Sequence, residues 1–135
     1  MIDPATLESW FGDEAGLQIW YDVEEFARLP DGGFLNHCTS GALYIQSVLG
    51  EGEIYGWFEG TNPDRHPKIL GGHDFLVYRD RWIIDPWLSV YRCIAPKTVW
   101  DLHTELDTIR AYYGDPTTWV VLRPEGFVKV EGKWK

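Results

Sequence analysis

Cys38, His73 and Asp85 are the side-chain types of an acyl-transfer set: a thiol to attack a carbonyl carbon, an imidazole to move its proton and a carboxylate to orient the imidazole. Cys38 stands in "LNHCTSGALYIQSVLG", where Asn36, Thr39 and Ser40 are helix-capping types and Ala42, Leu43, Ile45, Val48 and Leu49 give a broad apolar face that stops at Gly50. The thiol therefore falls at or just inside a helix N-terminus. There the positive end of the macrodipole and the unpaired backbone N–H groups favour a thiolate and can hold the oxyanion that attack on a carbonyl creates.

His73 and Asp85 lie in "GHDFLVYRDRWIIDPW", two apolar runs around a charged turn. Side chains alternate faces along a strand, so loop parity decides whether the two can meet. With Arg79–Arg81 as a three-residue loop, Tyr78 faces Trp82, Phe75 faces Asp85, and Asp85 is diagonal to His73 on one face. Such neighbours are about 7–8 Å apart at the backbone, within reach of an imidazole and a carboxylate. A two-residue turn at Asp80–Arg81 puts them on opposite faces; the odd loop is the expectation. His73 then takes the thiol proton and returns one to the leaving amine, while Asp85 fixes its tautomer and orientation. Residue types alone do not separate this set from a buried thiol and a packed imidazole.

The elements that must hold these residues read as follows. Pro4 to Trp10 is a short helix capped by Asp3, and Leu17 to Leu29 is a second that ends at "PDGG". The Cys38 helix comes next. Glu51 to Leu70, rich in Gly, Pro and charge with Tyr55, Trp57 and Phe58, reads as an irregular excursion forming one wall of a cleft. Strands at Asp74–Tyr78 and Trp82–Trp87 make the hairpin, and Leu88–Ile94 extends the sheet. A fourth helix runs from Val99 to Tyr113 with Gly114 as its stop, and strands at Trp119–Leu122 and Phe127–Val130 close the chain. Helices first and an antiparallel sheet later make the class α+β. Cys93 falls in an expected strand and reads as a packed thiol; His37, His66 and His103 read as surface residues.

At 135 residues, 44% of them hydrophobic and 24% charged, the chain is expected to be one globular domain over residues 1–135. A net charge of −9 with no run of Lys or Arg argues against nucleic acid and against an anionic membrane surface. No apolar stretch is long enough to span a bilayer, and "MIDPATLESWFGDEAG" is acidic where a signal peptide is basic and then apolar. The expectation is a cytoplasmic protein, able to act as a monomer, or one exported without an N-terminal signal. Two cysteines are too few for a disulfide framework, and no Cys/His spacing suits zinc, although one Cys38–Cys93 bridge is open to them. The acyl-transfer chemistry calls for no cofactor.

"NHCTSGALYIQSVLG" followed by "GGHDFLVYRDRWIIDPW" resembles the core of the papain-like superfamily, in particular its transglutaminase-like and bacterial papain-fold toxin or effector branches. Those families order their parts as Cys at a helix start, His opening a strand and Asp near the next strand's end, often followed by Pro. The matching positions are Cys38, His73 and Asp85, with Pro86 and Trp87 completing the last motif. The chain departs from the transglutaminase pattern at Asp74–Phe75, where Ala-Trp is usual, and lacks the papain-type Gln just before the nucleophile. Gln18, Asn36 and the Cys38 backbone N–H are the candidate oxyanion donors, with Trp57 and Trp87 as candidate substrate contacts.

The resemblance implies a cysteine-dependent hydrolase or acyl transferase that forms a thioester from an amide of a protein or peptide. Water as the acceptor makes it a protease, amidase or glutamine deamidase; a lysine amine makes it a transglutaminase. The competing class is a non-catalytic module that holds a peptide or carbohydrate on the aromatics of Glu51–Phe58. A metal site of Cys38, His73 and Asp85 ranks last, because such a three-ligand set is uncommon.

Overall fold

The computed structural model describes residues 2–12, 15, 37–123 and 126–130. Its frame is a six-stranded antiparallel sheet: β1 (Glu53–Trp57), β2 (His73–Tyr78), β3 (Trp82–Ile84), β4 (Val99–Asp101), β5 (Val120–Arg123) and β6 (Gly126–Lys129). The order across the sheet is β4-β3-β2-β1-β5-β6. Helix α1 (Pro4–Phe11) comes first, α2 (His37–Leu49) carries Cys38, and α3 (Leu106–Tyr113) precedes the last hairpin. The class is α+β. The expected helix over Leu17–Leu29 lies outside the described residues.

Over β1–β4 both faces of the sheet are covered, because these strands alternate between two apolar sets rather than between an apolar and a polar one. One set, with Ile54, Leu76, Tyr78, Trp82, Ile84 and Val99 from the strands, packs on Leu7 and Phe11 of α1 and on Ala42 and Ile45 of α2. The other, with Tyr55, Trp57, Phe75, Val77, Ile83 and Trp100, packs on Ile109 and Tyr113 of α3 and on Leu88 and Trp119. His73 shares the parity of Phe75 and Val77 and so faces the α3 side, whereas α2 lies on the other.

Local signals explain the helix ends. Asp3 Oδ1 accepts from Thr6 N at 2.9 Å, with Pro4 in the first turn, as the sequence predicts for α1. Glu8 then reaches across to β4, where its Oε1 accepts from Thr98 N at 2.8 Å and Val99 N at 2.7 Å. Gly50, at φ +71°, donates its N–H to Gln46 O at 2.9 Å and ends α2 in the left-handed conformation that glycine adopts most easily.

Three expected elements differ from those found. Glu53–Trp57, read as part of an irregular excursion, is the strand β1 beside β2. Ile54 and Tyr55 point to opposite cores, and Gly56 is there because a Cβ would stand 2.2 Å from Asp74 Oδ1. Val99–Asp101 is a strand, not the start of the fourth helix: Val99 and Trp100 enter opposite cores, the period of a strand. Asp101 Oδ1 then accepts from His103 N at 2.9 Å and turns the chain toward α3. Leu88–Ile94 adds no strand. Trp87–Tyr91 is a π-helical turn, because Asp85–Pro86 is a helix-start signal: Asp85 Oδ1 accepts from Leu88 N at 3.3 Å with Pro86 between them. Strand β3 accordingly stops at Ile84 instead of running to Trp87. Cys93, expected in a strand as a packed thiol, is exposed at φ +54° beyond that turn.

Candidate active site

The hairpin register places His73 and Asp85. Tyr78 pairs with Trp82, Val77 with Ile83 and Leu76 with Ile84. The loop is thus Arg79–Asp80–Arg81, with Arg81 N on Tyr78 O at 3.2 Å and Arg79 and Asp80 both at positive φ. This is the odd loop that parity requires. The turn is braced by Arg81, whose guanidinium makes two bonds to Asp101 of β4 at 3.0 and 2.9 Å. Asp101 in return is held down at about 2 by that guanidinium, against the opposing effect of burial.

Because β3 ends opposite Leu76, the first residues of β2 have no strand partner on that side. Asp85, Pro86 and Trp87 fill the gap. Asp85 Oδ2 sits 2.6 Å from His73 Nε2, and both residues are buried, 3% and 1% exposed. Asp85 is fixed by its backbone as well as its side chain. Its N–H donates to Thr98 O at 3.0 Å, and Ser89 Oγ donates to its carbonyl at 3.3 Å. Oδ1 takes the Leu88 N–H, and Oδ2 takes a second bond from the Tyr113 hydroxyl at 2.8 Å.

Aromatic rings surround the imidazole. Trp87 stacks on it with centroids 4.7 Å apart, Trp57 meets it edge-on at 5.6 Å, and Phe75 and Tyr113 stand at 6.0 and 6.2 Å. Trp57 belongs to this surround: it is buried, its indole N–H donates to Gly71 O at 3.1 Å, and it backs the histidine from β1. Tyr55 is buried in the same core, and of the three aromatics of the expected irregular excursion only Phe58 is exposed.

Cys38 lies in the first turn of α2, 5% exposed, at the same gap in the sheet. Thr39 Oγ1 donates to Asp74 Oδ2 at 2.5 Å and pins this end of the helix to the start of β2. With Nε2 held by Asp85, Nδ1 is the nitrogen left for the thiol; it is buried and has no partner within hydrogen-bond geometry among the described residues. Burial alone would push the His73 pKa down, but the Asp85 carboxylate first and Cys38 after it outweigh that cost, and the imidazole is pushed up to about 10. The Asp85 carboxylate thus favours the protonated form of the imidazole.

A narrow crevice runs along this gap, lined by Cys38, Gly41, Asp74, Asp85, Pro86 and Trp87 among others, and is too narrow to take a water molecule. Its charged lining residues are carboxylates only. The structure thus brings together Cys38, His73 and Asp85, with Trp87 at the crevice and Trp57 behind the imidazole. Asn36 and Gln18 lie outside the described residues. Both cysteines are free thiols. Among the described residues no His, Cys, Asp and Glu group has the arrangement to hold a metal ion, and no helix is long and apolar enough to cross a membrane.

One residue of the site escaped the sequence reading. Tyr113 occupies an apolar position of the α3 pattern, and nothing in its spacing from Asp85 marks its hydroxyl as a partner. Only the antiparallel sheet, with α3 folded across it, brings the two together. Comparison with protein-family models, with curated proteins and with solved structures gives no match.

Proposed function

We propose that this chain is a cysteine-dependent hydrolase or acyl transferase with a papain-like core, acting on an amide of a protein or peptide through a thioester on Cys38. The observation that carries the reading is the buried His73–Asp85 pair at 2.6 Å, its free imidazole nitrogen left for a thiol at a helix N-terminus. Support also comes from the order of parts: a Cys helix, His opening β2 and Asp just past the end of β3, followed by Pro.

The chemistry follows from these groups. Cys38, as the thiolate whose proton His73 has taken, attacks the carbonyl carbon, and the new oxyanion lies near the backbone N–H groups of the first turn of α2. His73, protonated, gives its Nδ1 proton to the leaving amine, and the C–N bond breaks to leave the thioester. An incoming water or amine loses a proton to the same nitrogen and attacks the thioester, and the C–S bond breaks to return the Cys38 thiolate beside the imidazolium. Asp85 keeps Nε2 protonated throughout, so Nδ1 is the nitrogen that exchanges protons. The narrow crevice admits no side chain as it stands, so the Trp87 wall, which is partly exposed, must yield for an acyl group to reach the sulfur. Water as the acceptor makes the enzyme a protease or glutamine deamidase; an amine makes it a transglutaminase. A non-catalytic module gripping a ligand on the aromatics of Glu51–Phe58 would have only Phe58 to offer, since Tyr55 and Trp57 are buried.

The test is the rate at which iodoacetamide alkylates each cysteine against pH, mapped by mass spectrometry, in the wild type and in His73→Ala. Cys93, exposed and outside the triad, is the internal comparison. Rapid Cys38 reaction that persists below pH 7 and slows in His73→Ala is the expected result. Equal behaviour of the two thiols, or no effect of His73→Ala, refutes the mechanism. With a substrate in hand, Cys38→Ala abolishes turnover and leaves the melting temperature nearly unchanged.

A further inference from the structure

We infer that Tyr113 is a positioning residue for this site, fixing the Asp85 carboxylate so that Oδ2 serves the imidazole while its own hydroxyl limits how tightly that oxygen holds the imidazolium. The inference rests on the proposed Cys38–His73–Asp85 reading and extends it by a fourth member.

The argument is geometric. One oxygen, Asp85 Oδ2, takes two donors: His73 Nε2 at 2.6 Å and Tyr113 Oη at 2.8 Å. The other, Oδ1, takes the Leu88 N–H at 3.3 Å. Without Tyr113 the carboxylate would keep one short bond and one long one, and rotation about its Cβ–Cγ axis would be opposed mainly by the histidine it is meant to orient. With Tyr113 that rotation breaks two bonds at the same oxygen.

Tyr113 is itself held with unusual firmness for the last residue of a helix. Its carbonyl accepts from Asn62 Nδ2 at 2.8 Å and from Trp119 Nε1 at 2.9 Å, both buried side chains. The next residue, Gly114 at φ +70°, leaves room for this arrangement, since a Cβ there would meet Asn62 Oδ1 at 2.1 Å. The ring is fully buried between Phe75, at 4.8 Å, and the imidazole. Burial first, and the Asp85 charge after it, push the Tyr113 pKa well above its ordinary value, so the hydroxyl remains a donor wherever the protein is folded.

The sign of its effect on His73 follows from the dipole. A hydroxyl that points its hydrogen at Oδ2 draws negative charge away from the imidazolium side and puts a partial positive charge near a cation. Removing it leaves Oδ2 with His73 as its one donor, so the imidazolium loses its proton at higher pH, while the carboxylate and with it the ring are less fixed in direction.

The experiment is an NMR titration of the His73 ring nitrogens, with Cys38 alkylation measured in parallel, in wild type, Tyr113→Phe and the control Tyr112→Phe. Tyr112 stacks on His66 at 5.6 Å and serves as the control from the same helix. Tyr113→Phe is expected to raise the His73 titration midpoint and slow Cys38 alkylation several-fold, with Tyr112→Phe matching wild type on both. Site-specific 3-fluorotyrosine at 113, which keeps the shape and strengthens the donor, is expected to lower the midpoint and gives the answer even if Tyr113→Phe folds poorly. A midpoint unmoved or moved the opposite way in these variants overturns the role of Tyr113 and reduces it to core packing. His73→Ala alkylation decides the underlying reading separately: a Cys38 rate that ignores the loss of His73 overturns the triad, whatever Tyr113 does to the imidazole.

Discussion

Replacing Asp85 by Asn should invert the way stability depends on pH. In the wild type His73 is raised from 6.5 to about 10, with burial opposing and the Asp85 charge and hydrogen bond prevailing. A histidine whose folded pKa lies above its unfolded value contributes stability that is fully present below 6.5 and is lost as pH rises toward 10. Each pH unit between the two values is about 1.4 kcal/mol, so the loss over this window is at most roughly 5 kcal/mol. Asn keeps the size of Asp85 but removes the charge. Burial, the largest influence on the ring, is then opposed chiefly by Cys38, and the folded pKa drops below 6.5. The sign reverses: the variant is indifferent to pH in the alkaline range and loses stability on acidification below about 6.5, as the unfolded imidazole takes up a proton that the folded one refuses. Guanidinium unfolding at intervals from pH 5 to 10 in both proteins measures this, since surface groups common to both cancel in the difference. Ring-nitrogen NMR, with His73 assigned by its absence in His73→Gln, reads the protonation directly. A wild-type His73 that titrates near 6.5, or an Asp85→Asn protein with the imidazole still protonated at neutral pH, would falsify the electrostatic account of the site.

Other perturbations test how the site is held. Thr39→Val removes the 2.5 Å bond to Asp74 that ties the Cys38 end of α2 to β2; it should cost about 1–3 kcal/mol in urea unfolding and slow Cys38 alkylation, and an unchanged rate would mean that the helix end is positioned by other contacts. Gly56→Ala puts a Cβ 2.2 Å from Asp74 Oδ1 and 2.4 Å from the His73 carbonyl oxygen; a loss of about 2–3 kcal/mol is expected, with a perturbed His73 NMR signal, and a protein of wild-type stability would refute the close packing of β1 on β2. Arg81→Met frees Asp101 from its two-bond clamp at the hairpin turn. The wild type should hold stability above about pH 4 that fades as pH falls toward 2, and the variant should lack that acid-range slope.

The hairpin was the most legible part of the fold, for a reason that belongs to strands. A period of two makes facing a yes-or-no matter, so the single question of whether Arg79–Arg81 counts as two or three loop residues determines whether His73 and Asp85 meet, and the charge of all three residues marks them as loop. The cap of α1 and the glycine stop of α2 were legible because each is a local hydrogen bond between residues at most four apart. The strand β1 was not. Its Gly56 reads as a breaker until the neighbouring strand is in place, when the lack of a side chain becomes the condition for Asp74 to fit. Val99–Asp101 was absorbed into a helix because two apolar residues at the edge of a pattern satisfy both periods, and only the pairing of Trp100 with Ile83 separates them.

Asp85–Pro86 shows how the same residues carry structural and chemical information at once. Read as a strand end, Pro86 merely stops the ladder. In the structure the pair opens a helical turn, and the carboxylate divides its work: Oδ1 caps Leu88, and Oδ2 faces His73. The cap leaves Oδ2 to face the imidazole, and the early end of β3 opens the gap at which Cys38, from the α2 side of the sheet, approaches a histidine that faces the α3 side. A strand continued to Trp87 would have closed that gap with backbone hydrogen bonds. The arrangement of the site therefore depends on a failed strand, and the residue that ends the strand is the one that holds the imidazole.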